Sequence, residues 1–248
     1  PLAIPRLQAG TIERGERVFR LSLTPGEKEF VPGTASPTIG IDASYLGPTL
    51  EMRRGEQVRF HIDNKLAEDA TVHWHGFELP ATADGGPHQL IRPGERWSPS
   101  FELRQRASLY WYHSHLHRRA GPQVYAGLAA PIYVRDEEED RLDLPSRYGV
   151  DDIPLIVQDR VIDSSGRLVY PLNMHSRMMG VIGERIYVNG TANAVFDAAA
   201  GPLRLRLLNG SNARFYTFSL EGDRPMQLIA SDGGLLAAPR EIRSLTLA

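Results

Sequence analysis

"TVHWHG" at residues 71–76 and "YWYHSHLH" at residues 110–117 hold five of the chain's eight histidines in two short aromatic stretches. Runs of this kind read as β-strands, along which successive side chains point to opposite faces. His73 and His75 then share one face with Trp74 on the other, and His113, His115 and His117 share a face with Ser114 and Leu116 turned away. Imidazoles at i and i+2 have Cα atoms roughly 6.5 Å apart, because a strand rises about 3.3 Å per residue. Such a pair can converge on one metal ion or hold two neighbouring ones. Neutral imidazole suits copper, zinc, iron and nickel, with copper favoured on affinity, so both stretches read as metal ligands.

The surrounding sequence has the rhythm of antiparallel strands in an all-β sandwich. Apolar and aromatic segments such as "GEQVRFHIDNKL" (55–66), "IRPGERWSPSFEL" (91–103) and "GLAAPIYVRD" (127–136) alternate with Gly, Pro, Asn and Asp punctuation. Long helical periodicity is absent. The acidic, turn-rich stretch "DEEEDRLDLPSRYG" (136–149) reads as a linker closing a first domain over residues 1–135. A second domain, 150–248, opens with "DDIPLIVQDRVID" and contains "LRLRLLNGSNARFYTFSLEG" (203–222). That stretch echoes "VRFHIDNKLAEDATVHWHGFEL" (58–79): a strand, an Asn at 64 or 209, a polar loop, then an aromatic strand. Where the first copy has His-Trp-His, the second has Phe215, Tyr216, Thr217 and Phe218, so metal ligands are expected in the first copy alone. The closing "EIRSLTLA" (241–248) reads as a strand with nothing after it to pair or turn it, which makes the second sandwich look incomplete.

Composition narrows the function classes. The 248 residues carry 28 Lys+Arg against 30 Asp+Glu, a formal charge of −2, which argues against a general attraction to nucleic acid or anionic membrane. No run of about 18 apolar residues occurs, so no membrane span is expected, and the opening "PLAIPRLQAG" lacks the pattern of an export signal. The expectation is a soluble periplasmic or secreted protein whose signal peptide has been removed. Cysteine is absent, which excludes disulfides, thiolate-zinc sites, a cysteine nucleophile and a blue-copper centre within this chain.

"HWHG" (73–76), "DGGP" (84–87), "YWYHSHLH" (110–117) and "AGLAAPIYV" (126–134) resemble the first two copper motifs of the multicopper oxidases, nearest to the bacterial copper-efflux and laccase-like branch. "YGVDDIPLIVQD" (148–159), "LRLRLLNGSNAR" (203–214) and "IASDGGLL" (229–236) extend the resemblance through the second half. It implies tandem cupredoxin-like Greek-key sandwiches, repeated three times in the family, of which this chain would hold the first and most of the second. The family's trinuclear copper cluster lies between its first and third domains and takes four histidines from each. Carried over by position, His73 would bind the type 2 copper, His75 and His113 would share one type 3 copper, and His115 would bind the other. His117 would be a hydrogen-bond partner outside the coordination sphere, and Asp84 would assist proton delivery to reduced oxygen. Asp84 also reads plainly as an Asp-Gly turn residue.

Other residues take plainer readings. His61 and His88 are expected to be surface or structural, and Trp74 and Trp111 to pack behind the ligands. "NMHSRMMG" (173–180) is expected to be a flexible loop or short helix packing its Met side chains, although its soft donors could hold Cu(I).

The type 1 copper motifs are not found, so they are expected in a C-terminal cupredoxin domain, either continuing this polypeptide or supplied as a separate chain. The implied function is part of an oxidase coupling one-electron oxidation of Cu(I) or a phenolic donor to the reduction of dioxygen to water. Two alternatives stand beside it. One is a non-catalytic cupredoxin scaffold of the bacterial cell-division type, whose relatives have lost copper ligands. The other is a self-contained mononuclear His-ligated zinc or copper enzyme.

Overall fold

The computed structural model describes residues 1–248. The first unit contains strands β1 (Leu7–Gln8), β2 (Thr11–Glu13), β3 (Glu16–Val31), β4 (Thr34–Ile41), β5 (Thr49–Arg53), β6 (Gln57–Asn64), β7 (His73–His75), β8 (Arg96–Trp97), β9 (Ser100–Glu102) and β10 (Ser108–His113), then helix α1 (Ala120–Ala126) and β11 (Ala129–Arg135). One sheet runs β1-β5-β11-β10-β7. The other runs β2-β3-β6-β8, with β4 added to β3 and β9 to β6. The chain crosses between the two sheets repeatedly, from β5 to β6, to β7, to β8 and β9, and back to β10, so strands distant in sequence become neighbours.

Alternation explains how these strands face each other. In β6, Val58, Phe60, Ile62 and Asn64 are buried while the residues between them are not. Phe60 stacks on Phe19 at 5.1 Å and on Trp74 at 4.0 Å between ring centroids, with Phe101 close by. Trp74 is fully buried in this stack, so its two neighbours on β7, His73 and His75, must face away from the core. Removing the indole as Trp74→Ala would cost about 3–5 kcal/mol.

The second unit is built on β12 (Asp152–Ile162), with β13 (Leu168–Val169), β14 (Arg185–Val188), β15 (Thr191–Ala192) and β16 (Arg204–Asn209) around it. β12 is antiparallel to β13 and β14 and parallel to β16. β17 (Tyr216–Ser219), β18 (Met226–Ser231), β19 (Gly234–Ile242) and β20 (Ser244–Leu247) form two separate ribbons, β17 with β20 and β18 with β19. The final strand is therefore not unpaired, contrary to the expectation from "EIRSLTLA". Tyr216 faces Leu247 and Phe218 faces Leu245 across an antiparallel ladder. The partner lies far back in the chain, where no local pattern points to it.

The acidic stretch after residue 135 is more than a tether. Asp136 caps helix α2 (Glu137–Asp140), accepting from the Glu139 N–H at 2.8 Å, and also accepts from the Ala107 N–H at 2.7 Å. Glu139 is buried and pairs with Arg204 at 2.6 Å and Arg206 at 3.1 Å from β16. Arg206 also grips the fully buried Asp152 through two contacts of 2.7 and 2.8 Å and lies over the Tyr133 ring at 4.1 Å. A closed set of charges thus fastens β16 and β12 to β11. No helix is long and apolar enough to cross a membrane.

Candidate metal centre

β7 and β10 pair in antiparallel register, with Trp111 opposite His75, Tyr112 opposite Trp74 and His113 opposite His73. β10 is flanked on its other side by β11, so it lies inside its sheet. The register brings four imidazoles together. His73 lies 5.9 Å from His75, 5.5 Å from His113 and 5.1 Å from His115 between ring centroids. His73, His75 and His113 have ligand nitrogens within 4.8 Å of one another; His115 stands beside this trio rather than within it.

Each ring is aimed by contacts outside the cluster. His73 Nδ1–H donates to the Asp84 carbonyl at 2.9 Å, which leaves Nε2 free. His113 Nδ1–H donates to the Ser114 carbonyl at 2.8 Å, and its Nε2 lies 3.2 Å from His75 Nδ1. Backbone carbonyls holding the outer nitrogen of an imidazole are a usual support for metal ligands. His115 follows the end of β10, where its N–H donates to Thr71 Oγ1 at 2.7 Å. The turn is fixed further by buried Gln123 of α1, which accepts from Ser114 Oγ at 2.5 Å and donates to the Asp69 carbonyl at 2.8 Å.

The rings suit a metal electrostatically. Burial pushes His113 down to about 3, against the opposing pull of the Ser114 carbonyl and with the other histidines adding to the shift. His75 is lowered as well, first by partial burial and then by the proximity of His73, while Asp232 pulls the other way. Both are therefore neutral at pH 7, the form that coordinates metal.

Asp84 sits where the sequence placed it, beside the cluster. Its Oδ1 is 3.5 Å from His73 Nδ1. The loop carrying it is stapled to β7 twice, by His73 and by Trp74 Nε1–H donating to the Ala83 carbonyl at 3.1 Å. Gly85 makes this approach possible. Its φ is +72°, and a Cβ there would lie 1.7 Å from the Val72 carbonyl oxygen.

Some expectations are corrected. Trp74 does pack behind the histidines, but Trp111 shares their face, stacked on His113 at 3.9 Å and tilted against His75 at 5.1 Å. Two residues from His113 on the same strand, it could not point elsewhere. His117 is an exposed turn residue and does not brace the cluster, because the chain leaves strand geometry after His113. His61, bonded to Ser98 Oγ at 2.9 Å, and exposed His88 stand outside it. Sequence reading missed Thr71, Gln123 and Asp232. Asp232 belongs to the "SDGG" turn between β18 and β19, which docks on β10 through Ser108 Oγ donating to the Ser231 carbonyl at 3.0 Å. The Asp-Gly turn signal was visible, but its destination was not.

The multicopper oxidase family profile matches residues 23–139, the segment containing both histidine motifs and Asp84. The chain belongs to the multicopper oxidase family. Multicopper oxidase mco of Staphylococcus aureus is 37% identical over 234 residues, covering 94% of this chain and 51% of that protein. Cell division protein FtsP of Xenorhabdus nematophila is 44% identical over 211 residues, covering 84% of this chain and 44% of that protein. Among solved structures, the laccase-like multi-copper oxidase CueO from an Ochrobactrum species superposes with a TM-score of 0.94 at 38% identity, covering all of this chain and 55% of that one. The likeness to multicopper oxidase cupredoxin domains agrees with the all-β fold read from the sequence. The chain spans about half the length of the curated relatives it matches. Family membership supports copper as the metal for these imidazoles.

Proposed function

We propose that this multicopper oxidase chain supplies half of the ligands of a trinuclear copper cluster, in an enzyme that takes single electrons from Cu(I) or a phenolic donor and reduces dioxygen to water. The observation that carries the reading is the convergence of His73, His75, His113 and His115, with His75 Nδ1 and His113 Nε2 facing each other at 3.2 Å. Following the family pattern, His73 would hold the type 2 copper, His75 and His113 one type 3 copper, and His115 the other. Four imidazoles are too few for three metals, so a C-terminal cupredoxin domain, in this polypeptide or another, would supply the matching histidines and the type 1 site. Copper bound there would supply one-electron redox chemistry toward dioxygen.

The chain's own residues do the rest. β7 and β10 hold the imidazoles at fixed spacing, and Trp111 walls one side of the cluster. Asp84, beside His73 and partly open to solvent, is placed to pass protons toward the cluster. The reading carries an extracytoplasmic location with it, which cell fractionation tests.

The decisive experiment measures copper content and dioxygen uptake for the chain alone and for the chain joined to a domain carrying the complementary histidines and cysteine. The chain alone should bind copper through its imidazoles and consume no dioxygen, because no type 1 copper forms without a cysteine. The joined protein should turn blue and consume dioxygen, and His113→Ala should abolish uptake. A copper-loaded chain oxidising phenols unaided would instead establish a self-contained metalloenzyme. The 44% identity to a cell division protein favours a scaffold as the second reading. Failure of the four imidazoles to take copper in either form would select it.

A further inference from the structure

The chain has three tryptophans, and all of them connect to the histidine ribbon of β7 and β10. Trp111 stacks on His113 at 3.9 Å on the ligand face. Trp74 stands between His73 and His75 on β7, fully buried behind them. Trp97, on the edge strand β8, lies 6.5 Å from Trp74 between ring centroids, with the two indoles 20° from parallel. It packs against the core and is half open to solvent. Trp74 and Trp97 thus form a short stack leading from the ligand strand to the surface.

The neighbouring rings differ in how readily they give up an electron. Phe60, at 4.0 Å from Trp74, and Phe101, at 6.0 Å, fill the same core, but a phenyl ring is far harder to oxidise than an indole. Tyr112 stands 6.1 Å from Trp74 and is the one phenol close to it. A phenol is easily oxidised when its proton can leave. Tyr112 is fully buried, its hydroxyl donates to the Pro48 carbonyl at 2.8 Å, and burial pushes it well above the ordinary tyrosine value, so it keeps its proton and does not compete. Trp74 keeps its proton as well, its Nε1–H donating to the Ala83 carbonyl at 3.1 Å. An electron taken from Trp74 therefore leaves an indole cation that a neighbour must refill. Trp97 is the neighbouring indole, and at the surface its proton can pass to water, which fixes the vacancy there.

We propose that Trp74 and Trp97 form a path carrying single electrons from the surface to the histidine ribbon, so that a strong oxidant left there short of electrons is discharged before it attacks the imidazoles. The oxidant, a partly reduced oxygen species, takes one electron from Trp74, and Trp74 takes one from Trp97. Trp97 releases its Nε1 proton to water and is restored by one electron from a soluble reductant and one proton from water. The protective use rests on the oxidase reading, whereas the path itself does not depend on which metal the ribbon holds.

Because the chain has no cysteine, one introduced thiol takes a ruthenium photo-oxidant at a chosen place. His75→Cys puts the complex on the ribbon beside Trp74, and Trp111→Phe leaves two indoles to report. After a flash, with a soluble acceptor removing the electron from the excited complex, transient absorption should show an indole cation giving way to a deprotonated indole radical. Trp97→Phe should abolish the deprotonated radical and leave the cation, and circular dichroism checks its fold. Absence of an indole radical, or survival of the deprotonated one in Trp97→Phe, would overturn the path whatever the metal content. The protective use is read from the unlabelled chain after copper loading, with copper content measured, then exposure to hydrogen peroxide and peptide mass spectrometry. Oxygenated indole should appear at Trp97, and Trp97→Phe should move the damage to His73, His75 and His113 at equal copper content. Imidazole damage unchanged by the substitution would overturn that use. A chain that takes up no copper would fail the oxidase reading and leave the flash result to decide the path.

Discussion

The chain folds one sequence pattern twice, and only one copy is fitted for metal. In the first half β6 runs parallel to β3 and ends at Asn64; in the second β16 runs parallel to β12 and ends at Asn209. The two asparagines do the same work. Asn64 Oδ1 accepts from the Leu66 N–H at 3.0 Å and its Nδ2 donates to the Glu68 carbonyl at 2.9 Å. Asn209 Oδ1 accepts from the Ser211 N–H at 3.0 Å and its Nδ2 donates to the Arg214 carbonyl at 2.7 Å. The aromatic strands that follow then part company. β7 pairs with β10, which β11 holds from the other side, while β17 pairs with β20 in an isolated ribbon that leaves Phe215 69% exposed. Two-stranded ribbons are marginal platforms, whereas a strand inside a sheet fixes its side chains. The histidine cluster lies on the copy whose strand β10 is held on both sides.

The largest test of this pairing strikes the charges that join the halves. Glu139→Gln leaves buried Arg204 without its counter-charge and should cost about 3–5 kcal/mol, read from urea denaturation. If the halves are one cooperative body they should unfold in a single transition at lower denaturant; a second half that melts by itself would make them independent copies. Next comes Asp84→Asn, a change with no counterpart in the second half. In a copper-loaded protein joined to its complementary domain it should slow dioxygen uptake by about 100-fold with copper content unchanged, as loss of a general acid does. Copper falling in step with activity would assign the residue to structure instead.

The two asparagines offer a finer comparison. Asn64 is buried and makes a further bond, to the Ile91 carbonyl at 2.7 Å, so Asn64→Ala should cost about 2–3 kcal/mol. Asn209 is half-buried, and Asn209→Ala should cost about 1 kcal/mol. Equal costs would mean that the shared bonds matter and the surroundings do not. The smallest effect is expected from grafting: Phe215→His with Thr217→His writes an H-x-H across the start of β17, yet calorimetry should detect no tight copper site. Thr246, opposite residue 217, offers no second imidazole.

Local pattern carried much of this fold and stopped at predictable points. Alternation put His73 and His75 on the face opposite buried Trp74, where the structure has them, and the family resemblance put Asp84 near them. Strand pattern failed at His117, where the chain turns, because periodicity does not announce its own end. It failed for β20, whose partner β17 is distant, and for Glu139, whose acidic neighbours resemble a solvated tether until Arg204 and Arg206 arrive from elsewhere. Gln123 and Thr71 brace the ligand turn through contacts across the fold, and no spacing rule points to such pairs. A loop or a short helix was expected at Met174–Met179, but not the exposure of its sulfurs.

The contact between His75 and His113 also fixes where hydrogens sit before any metal arrives. His113 Nδ1 gives its hydrogen to the Ser114 carbonyl, so its Nε2 is a bare acceptor and His75 Nδ1 must carry the hydrogen between them. Were these two nitrogens to hold a metal together, both lone pairs would be needed, so His75 would have to carry its hydrogen on Nε2 while His113 would change nothing. Loading would then be an isomerisation of one ring with no change in its charge, and the ¹⁵N shifts of that single residue would separate the empty ribbon from the filled one.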